Sequence, residues 1–147
     1  MMADTVSEAA LKALTAALSA GMPADAVCER NVALPKRIPA GGQVIVRDGD
    51  PGDPEVLFSP TLYVYSHIAQ VDVLFEEGDQ AARDAGFDVL KTAIGAALES
   101  DRTLGGVVDH VEAQAPSPLE IVAEGVEAIK AATLKIELNY ETSDPLA

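Results

Sequence analysis

"TLYVYSHIAQVDVLFEE" runs from Thr61 to Glu77. Its odd positions, Tyr63, Tyr65, His67, Ala69, Val71, Val73 and Phe75, make a nearly continuous apolar row. Its even positions mix Leu62, Val64, Ile68 and Leu74 with Ser66, Gln70, Asp72 and Glu76. A period of two marks a strand; one face here belongs in a core and the other is half covered. At ~3.3 Å per residue such a strand reaches roughly 50 Å, so a bend or bulge midway is expected. The rest of the chain must supply its neighbours and its cover.

The end of the chain supplies one neighbour. Ala132, Leu134, Ile136, Leu138 and Tyr140 alternate with Thr133, Lys135, Glu137, Asn139 and Glu141, so Ala131 to Glu141 reads as a second half-buried strand. Two helices supply cover. Thr5 to Ala20 sets Val6, Ala10, Leu14, Ala17 and Leu18 at helical spacing. Asp4 or Thr5 is the expected cap, Glu8 falls in the capping-box position, and Gly21 falls at the C′ place. From Gly78 or Asp79 to Ser100, Gly86, Phe87, Leu90, Ala93, Ile94, Ala97 and Leu98 share one side.

Shorter strands are expected elsewhere. "ADAVCERNV", Ala24 to Val32, puts Cys28 and Arg30 on a face with Ala26 and Val32. Ala33 to Pro60 is rich in proline and glycine and holds one clear strand, Gln43 to Arg47. "DGDPGDP" then marks a turn, and "EVLF" returns to complete a hairpin. "GVVDHVEAQ", Gly106 to Gln114, reads as a strand, and Pro116 and Pro118 open a loop reaching Gly125. The expected architecture is a single α+β domain over residues 1–147. It has one antiparallel or mixed sheet, two helices on one face, and a long hairpin or loop at 33–60.

Recognisable catalytic patterns fail on spacing. In "DRTLGG" the helix precedes the glycines, a strand follows them, and no Lys follows Gly106, so a bend is expected in preference to a phosphate cradle. "DGDPGD" brings Asp48, Asp50 and Asp53 together, yet the sixth and twelfth positions of a calcium loop hold Asp53 and Ser59 in place of Gly and Glu. Cys28, His67 and His110 lack the paired spacing of a zinc site, and no nucleophile elbow or dinucleotide fingerprint occurs. No catalytic residue, cofactor site or metal site is expected. A lone cysteine fits a reducing compartment. The start has no signal-peptide pattern, and no apolar run is long enough to span a membrane.

Twenty-four acids against ten bases give a formal charge of −14, and among the bases only Lys36 and Arg37 adjoin. Tight nucleic-acid binding needs clustered bases, so this chain is expected to repel nucleic acid.

The order of "LPKRIPAGGQVIVRDGDPGDPEV", "SPTLYVYSHIAQVDVLF", an Ala-rich helix, "DRTLGGVVDHVEAQAP" and "GVEAIKAATLKIELNYETSDPL" resembles the tail terminator, or tail completion, family of tailed phages, prophages and gene transfer agents. "DRTLGG" and "NYETSDPL" are the most specific segments. Members of that family sometimes carry an acyl-CoA transferase label, for which this chain offers no nucleophile or pantetheine signature. The resemblance implies a virion structural protein and not an enzyme. It implies a homo-oligomeric ring, usually of six copies, at the head-proximal end of a tail tube. The ring would stop tube growth and meet a head-completion protein, while DNA passes through without specific binding. Assembly would take place in the bacterial cytoplasm. Val64, Ile68 and Leu74 are the expected subunit interface, and Arg47, Asp48, Asp50 and Asp53 the expected loop against the tube. A head–tail adaptor and a small acyl-transfer enzyme are the rival readings.

Overall fold

The computed structural model describes residues 3–119 and 128–147. The elements are α1 (Val6–Gly21), β1 (Val27–Arg30), β2 (Gln43–Asp50), β3 (Glu55–Leu57), β4 (Leu62–Glu76), α2 (Gln80–Ser100), β5 (His110–Ala113), β6 (Ser117–Pro118) and β7 (Ile129–Thr142). They form one mixed sheet in the order β1-β2-β4-β7-β5, with β3 added to β4 and β6 to β7. Among the described residues only the β1–β2 pair is parallel. This is the α+β architecture expected. The loop expected to reach Gly125 lies partly outside the described residues.

β4 and β7 are the spine. They pair without interruption from Tyr63 opposite Thr142 to Glu76 opposite Ile129. The bulge expected in β4 sits in its neighbour β2 instead, where the register shifts between Arg47 and Asp50. Gly49 occupies that bulge at φ +68°, and a Cβ there would collide with the Ile68 carbonyl oxygen. The extra residue reverses the parity of β2, so that Asp50 follows Arg47 onto the same face of the sheet.

Both helices cover the face carrying the odd positions of β4. Leu14 and Leu18 of α1, and Phe87, Leu90, Ile94 and Leu98 of α2, bury against Val44, Val46, Val71, Val73, Leu134, Ile136 and Leu138. Thr5 caps α1 by accepting from the Glu8 backbone N–H at 3.2 Å, and Asp79 caps α2 by accepting from the Ala82 N–H at 2.9 Å. Gly21 does not act as a C′ residue. It lies inside α1, where an added Cβ would stand 2.8 Å from that of Ala97, so its size sets how closely the helices approach.

Other expectations need correcting. "EVLF" does not pair with β2: β3 pairs with the start of β4, end to end with β2 along the same edge. The strand expected from Ala24 shortens to Val27–Arg30, and Asn31, at φ 53°, then turns the chain so that Val32 packs on the opposite face from Cys28. That turn begins a cover for the upper part of the second face. Ile38 closes over Ile45 and Leu74, with Val32, Ile129 and Ala131 around them. Leu74 is therefore 1% exposed within its own chain and is withdrawn as a subunit contact.

Candidate functional site

The strand expected from Gly106 begins only at His110, because residues 101–109 form a turn. Leu104, Gly105 and Gly106 adopt positive φ values of 50°, 75° and 89°. The Asp101 carboxylate accepts from the Thr103 and Gly105 backbone N–H groups at 3.1 and 2.7 Å, and from the Thr103 hydroxyl at 3.0 Å. These bonds hold its carboxyl below the usual carboxylate range, the Gly105 N–H contributing most. The Gly106 and Val108 N–H groups turn back to the Thr103 carbonyl at 3.0 and 3.1 Å. The donors that would face a phosphate are thus used within the turn. Arg102 ties the turn to β5. Its guanidinium donates to the Val111 carbonyl, and its own carbonyl accepts from the Val111 N–H at 2.9 Å, so the turn shields the outer edge of β5.

The dispersed candidate residues stay dispersed. Cys28 lies on β1, His67 on β4 and His110 on β5, and the strand order keeps them apart. Burial, with Glu29 adding to it, pushes the half-buried Cys28 thiol up to about 11, far from a reactive thiolate. His110 is exposed, 3.9 Å from Glu112. His67 is buried and held at both ring nitrogens. Nε2 stands 2.6 Å from the Asp48 carbonyl and Nδ1 stands 2.8 Å from the Tyr140 hydroxyl. A carbonyl only accepts, so Nε2 donates to it, and a ring carrying that one proton accepts from Tyr140 at Nδ1. Burial, with Tyr65 adding to it and Ser7 opposing, pushes the Tyr140 phenol up to about 12.

This pair lines a cleft of about 230 Å³ between the start of α1 and the β2 bulge. Across its mouth, Arg30 forks onto Glu8 at 2.7 and 2.9 Å and also holds the Asp48 carboxylate at 2.8 and 3.0 Å. Asn31 donates to the same Asp48 oxygen at 3.0 Å. Glu8 thus leaves its capping-box place and ties α1 to β1 and β2. The Arg30 guanidinium holds the Glu8 carboxyl below its usual range. A carboxylate lowered by folding stabilises the fold above its unfolded value, about 4.3, and loses that contribution as pH falls through the lower folded value. Arg30→Met should therefore destabilise the protein at neutral pH and flatten the loss of stability below about pH 4.3. Thermal melts across pH check this, and parallel acid limbs in the two proteins would refute it.

Of the four expected loop residues, Arg47, Asp48 and Asp50 belong to β2. Arg47 donates to Asp72 at 2.8 Å and to the Val32 carbonyl at 3.0 Å, fastening the cover to the sheet. Asp72 also accepts from Thr133 at 2.8 Å. Asp50 and Asp53 alone remain exposed, at the end of β2 and in the loop that follows. The Asp50 carboxylate accepts from the Gly52 N–H at 2.8 Å and closes that loop on itself. Among the described residues, no three His, Cys, Asp or Glu side chains form a metal-binding group.

What remains open is the lower half of the second sheet face. Registers place Leu57 beside Leu62, and Glu55 beside Val64 beside Glu141. Ser66 sits beside Asn139, Ile68 beside Glu137, and Gln70 beside Lys135. Leu62, Val64 and Ile68 are only half-buried, and no second layer of this chain lies over them among the described residues. Leu57 and Phe58 extend this apolar surface, and Phe58 is 77% exposed, whereas Val56, opposite Tyr63, belongs to the other face. Leu57 and Phe58 lie outside the surface expected from sequence, which places "EVLF" in a hairpin with β2. Their signal is the apolar run directly after "DGDPGDP". No family model matches this chain, and no curated protein matches it.

Proposed function

We propose that this protein is a ring-forming tail terminator of a phage-like or gene-transfer-agent particle. Copies of it, six in the family it resembles, cap the head-proximal end of a tail tube, stop its growth and present a joining surface to a head-completion protein. The observation that carries this reading is the sheet face covered, among the described residues, over only half its length, with Val64 and Ile68 on the bare half. A neighbouring copy that covers them extends the fold's own logic, and repetition of a head-to-tail contact about an axis closes a ring. Asp50 and Asp53 at the far end of β2 remain the loop offered to the tube. The polar cleft supports the same reading, because its carboxylates are held by Arg30 and its histidine by the Tyr140 hydroxyl and the Asp48 backbone carbonyl.

Electron micrographs of tails assembled with and without the protein test this. Without it, tubes should be overlong, irregular and headless. Tails of normal length joined to heads in its absence would remove the proposal. A label on the protein should appear at the head-proximal end of the tube; a label in the head vertex would make it an adaptor. The acidic excess supports passage of DNA without adhesion, so the purified protein should leave duplex DNA unshifted in a gel at low salt.

A further inference from the structure

We infer that the bare strip of Leu57, Leu62, Val64 and Ile68 is the seat for the Leu34–Arg37 segment of a second copy of this chain. The inference rests on the ring reading for its occupant and names the two surfaces that meet.

Charge makes the match. Acids border the strip on both sides. Glu55 and Asp50 lie along the β3 and β2 edge, and Glu137 and Glu141 lie along β7, with Glu112 opposite Glu137 on β5. Among the described residues the bases on this face are Arg47, already paired with Asp72, Lys135, beside Gln70 at its upper end, and His110 on β5. An apolar strip between acids fits an apolar side chain followed by bases. A chain with a net charge of −14 repels itself over most of its surface, so self-association has to use its few bases.

Lys36 and Arg37 are the chain's one adjacent basic pair, both exposed, and neither forms an ion pair among the described residues. Leu34, two residues earlier, is 44% exposed. The segment is also held in shape: Ile38, next to Arg37, is buried against Ile45 and Leu74. It therefore presents a leucine and two cations from an ordered base. Each copy offers one seat and one segment at opposite ends of one sheet face, which permits contact with two neighbours at once. A stable contact buries about 800 Å² per partner, and the exposed Phe58 beside the seat enlarges the area on offer.

Sedimentation velocity on the full chain over a range of concentrations tests the contact. The protein should associate weakly and reversibly. Ile68→Glu, and separately Lys36→Glu with Arg37→Glu, should weaken association by roughly tenfold or more while leaving the circular dichroism unchanged. Mixing the two variants should give a one-to-one complex, because each keeps the surface the other has lost. Adding Glu137→Lys and Glu141→Lys to the Lys36→Glu, Arg37→Glu protein should restore association. Protein that stays monomeric at every concentration overturns the inference, as does undiminished association of the Lys36→Glu, Arg37→Glu protein or a mixture that forms no complex. The ring reading fails separately: complexes that stop at two copies uphold the contact and exclude a ring. Normal headed tails without the protein likewise exclude tail termination and leave the contact standing.

Discussion

Gly49→Ala should cost about 3 kcal/mol, a fall in Tm of about 10 °C for a chain of this size. The position combines two constraints. At its φ of +68°, a β-carbon costs about 1–2 kcal/mol in the left-handed region. In addition, the new carbon would collide with the Ile68 carbonyl oxygen and stand 2.9 Å from the Ala69 Cα, both backbone atoms that no rotamer change can move. Relief requires β2 to part from β4 at the bulge. That exposes ladder hydrogen bonds worth about 1 kcal/mol each. It also draws the Asp48 carbonyl from His67 and the Asp48 carboxylate from Arg30. Gly52→Ala is the matched control. Gly52 has the same φ of +68°, and a Cβ added there would meet nothing within 4 Å, so only the backbone cost of about 1–2 kcal/mol applies. Urea melts of the two variants should separate by about 1–2 kcal/mol. Equal losses would mean that the bulge yields freely.

The same bulge explains what is legible in the sequence and what is not. Strict alternation in β7 and on the odd side of β4 reports directly which residues face a core, because a strand's side chains have no other way to alternate. α1 and α2 are legible for the same reason at a period of 3.6. The pairing of β3 is hidden, because "EVLF" carries no mark of which neighbour it joins; register is a property of two segments and not of one. The strand beyond Arg47 is hidden because Asp48, Gly49 and Asp50 have turn chemistry, and here they make a bulge inside a strand. The cover over Leu74 rests on Ile38, an isolated apolar residue in a segment of proline, lysine and arginine without a period. Residues 101–109 are legible as a bend but not in length, since Val107 and Val108 look like the start of a strand until Asp101 gathers the backbone ahead of them. The surface strip is half legible. Val64 and Ile68 stand out as apolar residues on a wet face, whereas Leu57 and the acids flanking the strip require the register.

Tyr140→Phe should cost about 1–3 kcal/mol, and His67→Leu combined with it should recover much of that loss. The phenyl ring keeps its place beside Tyr65, whose ring centre lies 5.6 Å away, so packing is conserved. What disappears is the hydroxyl 2.8 Å from Nδ1 of a histidine that is 3% exposed. Nε2 is committed to donate to the Asp48 carbonyl, so Nδ1 is left as a buried acceptor without a donor. Replacing both partners by apolar groups removes that orphan. It frees the Asp48 carbonyl and the Ser7 hydroxyl, both on half-buried residues where water replaces the lost partner. The double-mutant cycle should therefore show strong coupling, with the two changes together costing less than the sum of the two alone. Additive losses would show that the ring and the hydroxyl act independently, and that His67 is held by packing. A nitrogen-15 spectrum of the imidazole supplies a readout free of stability: the proton should sit on Nε2 in the parent protein, and a proton on Nδ1 would reverse the direction of the Tyr140 bond and cancel the expected coupling.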